Sequence, residues 1–530
     1  MTRVTDPQRR GGMRQAHTGR KVTGIVALTV ALVMTMSGCV TAFFPDTKPG
    51  AVSTSTPSAE DVAENLREFY GQNVVWSNCE RSFECATVAA PMDWENPEDG
   101  EIELALIRQQ APGDAIGSLF VNPGGPGASG YDFVRDSVDY ATDSRLQERF
   151  DIVGFDPRGV GRSTPVTCLD AEEMDEYLYG LAASERGSEA WIDELEASAK
   201  EYGDACAANT GESLEFTDTV SAARDLDLMR AVLGDDKLYY LGYSYGTFLG
   251  ATYAELYPKK AGRLVLDGAI DPSTSNFEVN LTQAKGFESA LRAYLEDCLG
   301  SSECPFSGTV DDAMATIGAL LTSVDASPIK NTDGRMLGAN SLLTAIIYPL
   351  YSPESGWPLL SEMFADVMSG SAEYAFSFAD AYNGRNEDGT YSDNSTEAFS
   401  AYNCRDYTYN DDPAKMAEEA AALAEAAPTI GPFFGYGDIG CANWPYPDGA
   451  ERKKITAEGA PPILVVGTTN DPETPYVWAE ALADQLESGV LVTYEGEGHT
   501  GYNKGSECVN SVVDDYLISG EVPTEDPKCS

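Results

Sequence analysis

The chain has 530 residues, enough for two or three units of ~150 residues each, and its 42% hydrophobic and 23% charged content describes a globular protein, not a disordered one. Its formal charge of −50 repels phosphate backbones and excludes nucleic acid as a partner.

Taken in chain order, residues 1–38 read as an address. Arg3, Arg9, Arg10, Arg14, Arg20 and Lys21 face only Asp6, and an apolar stretch runs from Val22 to Met36. A basic start, a short apolar core and small residues before a cut describe a secretory signal. Cys39 directly after Ser37-Gly38 resembles a bacterial lipobox, whose cysteine is acylated and becomes the new N-terminus. A plain signal peptide or a membrane anchor is the alternative, though the stretch is short of the ~20 residues a spanning helix needs. Residues 39–65, rich in Thr, Ser and Pro, then form a lipid-anchored tether. The expected location is the outer face of the cytoplasmic membrane, with release to the medium as the variant.

Cysteine usage fits export. Eleven Cys less Cys39 leaves an even ten. The spacings suggest neighbours pairing in order: Cys79–Cys85, Cys168–Cys206, Cys298–Cys304, Cys404–Cys441 and Cys508–Cys529. Zinc is disfavoured, because no C-x-x-C occurs and the chain has two His. No metal and no cofactor is expected.

Short apolar runs alternate with helical stretches, the rhythm of an α/β sheet. The runs are Ile102–Arg108, Ser118–Val121, Phe150–Phe155, Leu238–Leu241, Arg263–Asp267, Ile463–Gly467 and Val490–Tyr494. Residues 66–270 make the first part of the core and 431–530 the second. Between them, 271–430 is helical in pattern and rich in aromatics, as an insertion capping the strand ends would be.

The chemistry starts at Gly242-Tyr243-Ser244-Tyr245-Gly246, between a strand and a helix. That context suits a nucleophile turn: Ser244 is presented on a tight bend, and the helix N-terminus faces the reacting oxygen. With residues 1–38 removed, His499 is the one histidine left, just after the strand 490–494, where a general base belongs. Asp471, after the strand 463–467, is the expected partner of His499, and Asp267 is the competitor. An oxyanion hole needs two backbone N–H donors. Tyr245 supplies one, and the turn Asn122-Pro123-Gly124-Gly125-Pro126-Gly127 the other, through Gly125 or, failing that, Gly124. A phosphate loop is excluded at that turn, since no Lys follows and Pro126 lacks an N–H.

These motifs, with Phe155-Asp156-Pro157-Arg158-Gly159-Val160-Gly161-Arg162-Ser163, Asp471-Pro472-Glu473-Thr474-Pro475, Gly498-His499-Thr500 and Pro91-Met92-Asp93-Trp94, make the chain resemble the secreted tripeptidyl aminopeptidases. Those are α/β-hydrolases, relatives of prolyl iminopeptidases and of mycobacterial-type cell-envelope serine hydrolases. The resemblance runs from about Trp76 to the C-terminus. It implies an α/β-hydrolase fold with an inserted helical cap, and a serine exopeptidase that removes short peptides, tripeptides by the family name, from free N-termini. A carboxylesterase on the same triad is the alternative. Asn122 departs from the His of prolyl iminopeptidases, which argues against proline-specific cleavage. An aminopeptidase must also anchor a free α-ammonium, and Glu473 and Asp406 are the candidate carboxylates.

Overall fold

The computed structural model describes residues 53–446 and 452–530. The signal segment, Cys39 and the first part of the expected tether lie outside these residues.

Thirteen strands are described: β1 (Ser53–Ser55), β2 (Val74–Asn78), β3 (Glu84–Pro91), β4 (Glu101–Gln109), β5 (Ser118–Asn122), β6 (Asp151–Phe155), β7 (Leu238–Tyr243), β8 (Ala261–Asp267), β9 (Ile329–Lys330), β10 (Met336–Leu337), β11 (Ile463–Asn470), β12 (Gly489–Glu497) and β13 (Lys528–Cys529). All but β9 and β10 join one sheet, ordered β1-β2-β3-β4-β6-β5-β7-β8-β11-β12-β13. It is antiparallel as far as the β4–β6 pair and parallel beyond it. This is the α/β-hydrolase architecture that the apolar runs imply.

Strand periodicity sorts the central side chains onto two faces. Phe120, Val153, Phe155, Tyr240, Leu264 and Leu266 pack on one side with Leu226 and Met229 of the helix Thr219–Leu233 and with Leu249 and Tyr253 of the helix Tyr245–Leu256. Leu119, Val121, Ile152, Leu241 and Val265 pack on the other with Val134 of the helix Gly130–Ala141 and with Val513 and Leu517 of the helix Glu507–Ser519. Between β8 and β11 the helices Asn276–Cys298, Val310–Ala326, Ala339–Leu350, Pro353–Met368 and Glu373–Tyr382 bury an apolar core of their own, with Leu291, Ile317, Leu321, Ile346, Leu360 and Phe364 inside. Each such side chain contributes about 1.5–3 kcal/mol, so the cap is held by its own packing.

Three features differ from the sequence expectation. Residues read as tether join the fold from Ser53 onward. β1 pairs with β2, Trp76 Nε1 donates to Ser55 Oγ at 2.9 Å, and Glu60 forms an ion pair with buried Arg230 at 3.0 Å. Helical structure also continues past 430 to Ile439–Ala442, where Cys441 is tied to Cys404, and the sheet resumes only at Ile463. Finally, a second helical excursion follows β6. Its helices Ala171–Tyr179 and Glu189–Thr210 pack Met174, Tyr202, Trp191 and Ile192 against Ala401, Trp444, Met416 and Ile439 of the cap. The five cysteine pairs are those read in order: Cys79–Cys85, Cys168–Cys206, Cys298–Cys304, Cys404–Cys441 and Cys508–Cys529.

One buried ion pair clamps the antiparallel end to the helical layer. Arg158 Nε and Nη2 each donate to Asp225 at 2.7 Å, and Trp94 Nε1 donates to the same carboxylate at 3.0 Å. The rest of the guanidinium donates to the carbonyls of Pro91, Met92 and Phe216. Arg158→Met leaves Asp225 buried without its cation and should destabilise the fold by about 3–5 kcal/mol in urea unfolding. The double change with Asp225→Leu should recover a substantial part of that loss. Equal stability of the single variant and the wild type would show that the clamp carries no weight.

Candidate active site

The turn from β7 into the helix Tyr245–Leu256 places Ser244 at φ 54° and ψ −125°. A non-glycine residue held at positive φ stores local strain, which the surroundings must impose. They do so by close backbone packing. A Cβ on Gly242 would lie 2.5 Å from the Gly246 carbonyl, and one on Gly124 would lie 2.6 Å from the Tyr243 carbonyl. The Ser244 amide donates to the Asp267 carbonyl at 2.9 Å, tying the turn to the end of β8.

The loop after β12 carries His499. Its Nδ1 lies 2.9 and 3.0 Å from the two oxygens of Asp471. Asp471 sits just past β11 and is itself saturated: it accepts from the amides of Glu473, Thr474 and Thr500 and from Thr474 Oγ1, all at 2.9–3.0 Å. Such bonds fix the carboxylate and leave its charge aimed at the imidazole. Burial pushes the imidazole down, but the Asp471 charge, its hydrogen bond and the nearby Glu473 outweigh burial, so His499 titrates above the usual histidine value. Nδ1 therefore carries the proton and Nε2 is left free to accept one.

Asp267 has a different place. It is fully buried and accepts from the amides of Gly501 and Tyr502 at 2.8–3.1 Å, and burial raises its carboxyl to about 6. It anchors the His499 loop from beneath and does not meet the ring.

Ser244 and His499 line one cavity of about 390 Å³ together with Pro123, Ala128, Tyr351 and Asn383. A second cavity of about 350 Å³ opens from Ser244 under the cap and is lined by Tyr245, Phe248, Asn280, Gln283, Tyr407 and Arg452 among others. Gly125, Ser244 and Glu473 line both. No hydrogen bond joins Ser244 Oγ to His499 Nε2; such contacts are commonly loose without substrate and tighten when it binds.

The glycine turn after β5 resolves the choice between its two amides. Gly124 N–H donates to Asn122 Oδ1 at 3.0 Å and is spent. The amides of Gly125 and Tyr245 have no acceptor among the described residues, and both residues line the cavity at Ser244. Asn122 thus shapes the turn from below. Asp156 braces the following segment, accepting from Ser129 Oγ and from the amides of Tyr131 and Arg162.

The two carboxylates considered for an ammonium separate clearly. Glu473 lies at the junction of the cavities, held by Tyr351 Oη at 2.9 Å and Gln283 Nε2 at 3.0 Å, with no cationic partner among the described residues. Burial pushes its carboxyl up, against the pull of His499. Asp406 also lines the cavity under the cap, but its oxygens are taken by the Thr219 amide and hydroxyl, and that hydroxyl in turn meets Tyr245 Oη. Burial raises Asp406 to about 7. Its place is behind Tyr245.

Sequence reasoning missed Tyr351, whose carbonyl accepts the His499 amide at 3.0 Å and whose ring lies 5.5 Å from the imidazole. It also missed Thr474, Gln283 and Arg452. Thr474 stands in the Asp471-Pro472-Glu473-Thr474-Pro475 motif and could have been read as an Asx-type partner of Asp471; the others carry no local signal.

Comparison with known proteins gives the family. The family described as TAP-like protein matches residues 427–529, the segment that holds Asp471 and His499. Serine protease Hip1 of Mycobacterium tuberculosis is 36% identical over 479 residues, covering 87% of this chain and 91% of that one. Carboxylesterase B of the same species is 37% identical over 502 residues, covering 91% and 93%. Tripeptidyl aminopeptidase of Streptomyces lividans is 30% identical over 460 residues, covering 86% and 84%. The chain belongs to the tripeptidyl aminopeptidase-like α/β hydrolases.

With only two His in the chain, the His499 ring can be followed directly by NMR in selectively labelled protein. Its titration midpoint should lie above 6.5, and Asp471→Asn should lower it by about one unit or more, because burial then acts without the opposing charge. Asp267→Asn should move it much less. The reverse order would make Asp267 the partner.

Proposed function

We propose that the protein is a serine exopeptidase acting through Ser244, His499 and Asp471, and that it releases short peptides from free N-termini. The single observation that carries the substrate reading is Glu473. It is a carboxylate with no cation beside it, fixed by Tyr351 and Gln283 on the wall of the cavities that meet at Ser244. Leaving such a charge in a partly dry site is costly, and a substrate ammonium would offset that cost.

The chemistry follows from the positions. Ser244 Oγ attacks the scissile carbonyl while His499 Nε2 takes its proton, and the developing oxyanion is met by the amides of Gly125 and Tyr245. His499 then gives that proton to the departing amine, leaving an ester on Ser244. Water attacks this ester with His499 again as base, releasing the acid and restoring the hydroxyl. Asp471 holds the tautomer and stabilises the imidazolium throughout. The leaving peptide must face the proton donor, so it occupies the cavity that His499 lines. The acyl segment then lies in the cavity under the cap, whose volume of about 350 Å³ is within the ~300–1,000 Å³ of ligand pockets. The tripeptide length is carried over from the Streptomyces relative. A carboxylesterase is the second reading, favoured by the relative of that name, since the acyl-enzyme steps are shared.

Export as a lipoprotein completes the proposal. The signal-like residues 1–38 and Cys39 support it, as does the even cysteine set, all ten of which pair. No helix among the described residues is long and apolar enough to cross a membrane.

Ser244→Ala should fold normally yet lose about 10⁴-fold or more in turnover and all labelling by a fluorophosphonate. Retained labelling would place the nucleophile elsewhere. A free-amine tripeptide amide should be cleaved much faster than its N-acetylated form, and Glu473→Gln should narrow that gap while a small neutral ester is affected less. Equal rates on blocked and free peptides would overturn the exopeptidase reading and favour the esterase. Aminoacyl, dipeptidyl and tripeptidyl amides side by side read the fragment length. For the anchor, the exported protein should partition into detergent and Cys39→Ala should abolish that; a wild-type product cut at another site and found in the aqueous phase would refute acylation.

A further inference from the structure

Arg452 is a cation that the mechanism above does not use. It lines the cavity under the cap, which Ser244 also lines and His499 does not. Its guanidinium is clamped between two rings, 3.8 Å from the centroid of Phe248 and 4.3 Å from that of Tyr407. Stacking of this kind fixes the plane of the group and desolvates its faces. Nε and Nη2 are buried and have no acceptor among the described residues. Its charge draws the Asp406 carboxyl down against burial, but the acids that line the cavity form no ion pair with it. Asp406 gives its oxygens to Thr219, Glu473 gives its own to Tyr351 and Gln283, and neither forms an ion pair with Arg452. Two buried donors left idle among the described residues are costly to maintain. The planar fork is suited to one acceptor above others, a carboxylate held by two parallel hydrogen bonds.

We propose that Arg452 is a specificity-determining residue that receives a carboxylate on the acyl segment of the substrate, an aspartyl or glutamyl side chain of the released peptide. The inference rests on the serine-hydrolase reading, because it is the position of His499 that makes this cavity the acyl side. Glu473 and Arg452 then divide the work: Glu473 takes the ammonium and Arg452 the acid, so the cavity both line fits a zwitterionic fragment. The excess negative charge of the surface slows the approach of such an acidic peptide, and added salt screens that repulsion while the enclosed contact is screened much less.

The test scans acid against isosteric amide. Free-amine tripeptide amides carrying Glu or Gln in turn at each of the three acyl positions are compared by kcat/KM. At one position Glu should exceed Gln by at least ~10-fold, as expected of a hydrogen-bonded charged group. Arg452→Met keeps an unbranched side chain between the rings and should bring that ratio close to one. Arg452→Lys keeps the charge without the fork and should leave the ratio above one but below the wild-type value. Thermal unfolding checks that each variant is folded. If Arg452→Met does not fold, the wild-type ratio and the Lys variant still decide. The same comparison is made with the p-nitrophenyl esters of glutaric acid and of its monoamide, which need no N-terminus. A ratio near one at every position and on the esters overturns the inference. A ratio that survives in Arg452→Met assigns the preference to another residue and overturns it equally. Failure of the exopeptidase reading looks different: blocked and free peptides are cleaved alike, while the acid-over-amide ratio persists.

Discussion

The site depends on a backbone constraint at Ser244. A serine at φ 54° does not persist unless its neighbours leave no alternative. Here the alternatives are closed by contact: the turn after β5 lies directly against the turn after β7, with no Cβ between them at Gly124 or Gly246. The parallel pairing of β5 with β7 sets that approach, since it places Asn122 beside Gly242. One pairing register therefore delivers three things to one point: the exposed hydroxyl, the Tyr245 amide at a helix N-terminus and the Gly125 amide. A side chain at any of those glycines would separate the two turns and pull nucleophile and amides apart together.

Electrostatics at the site is arranged by solvation more than by ion pairs. Asp471, Asp267 and Glu473 act on His499 and Asp406 stands behind Tyr245, and the fate of each carboxyl is set by what its oxygens bind. Asp471 collects three amides, a hydroxyl and the imidazole and keeps its charge useful. Asp267 and Asp406, drier and less well served, are pushed up to about 6 and about 7. The formal charge of −50 acts on approach from solution; within the cavity the local partners decide.

How much of this was legible in the sequence follows from where the information lies. Ser244, His499 and Asp471 were readable because each sits just after a strand, and strands announce themselves by short apolar runs. The choice of Gly125 over Gly124 was not decidable, because it turns on Asn122 folding back onto its own turn. The second helical excursion, 171–210, escaped because helices of low apolar contrast such as Glu189–Thr210 bury scattered residues against a partner far along the chain. The ordering of Ser53 onward escaped for the same reason: a Thr- and Ser-rich segment reads as linker until an edge strand is there to pair with it. Asp406 looked equal to Glu473 as a free acid, and only the tertiary contact with Thr219 separates them.

The cap and the catalytic base are one mechanical unit. The His499 amide donates to the carbonyl of Tyr351, which follows a cap helix, and a Cβ on Gly498 would meet that carbonyl at 2.9 Å and Pro353 at 2.6 Å. Tyr351 Oη then reaches Glu473, and Gln283 from another cap helix holds the opposite oxygen. Glu473 and the His499 loop are thus both fastened to Tyr351. A substrate that shifts Tyr351 shifts the imidazole with it. Binding energy spent far from the scissile bond can in this way set the position of Nε2 relative to Ser244 Oγ. That arrangement makes the length and charge of the bound fragment a condition of turnover as well as of affinity.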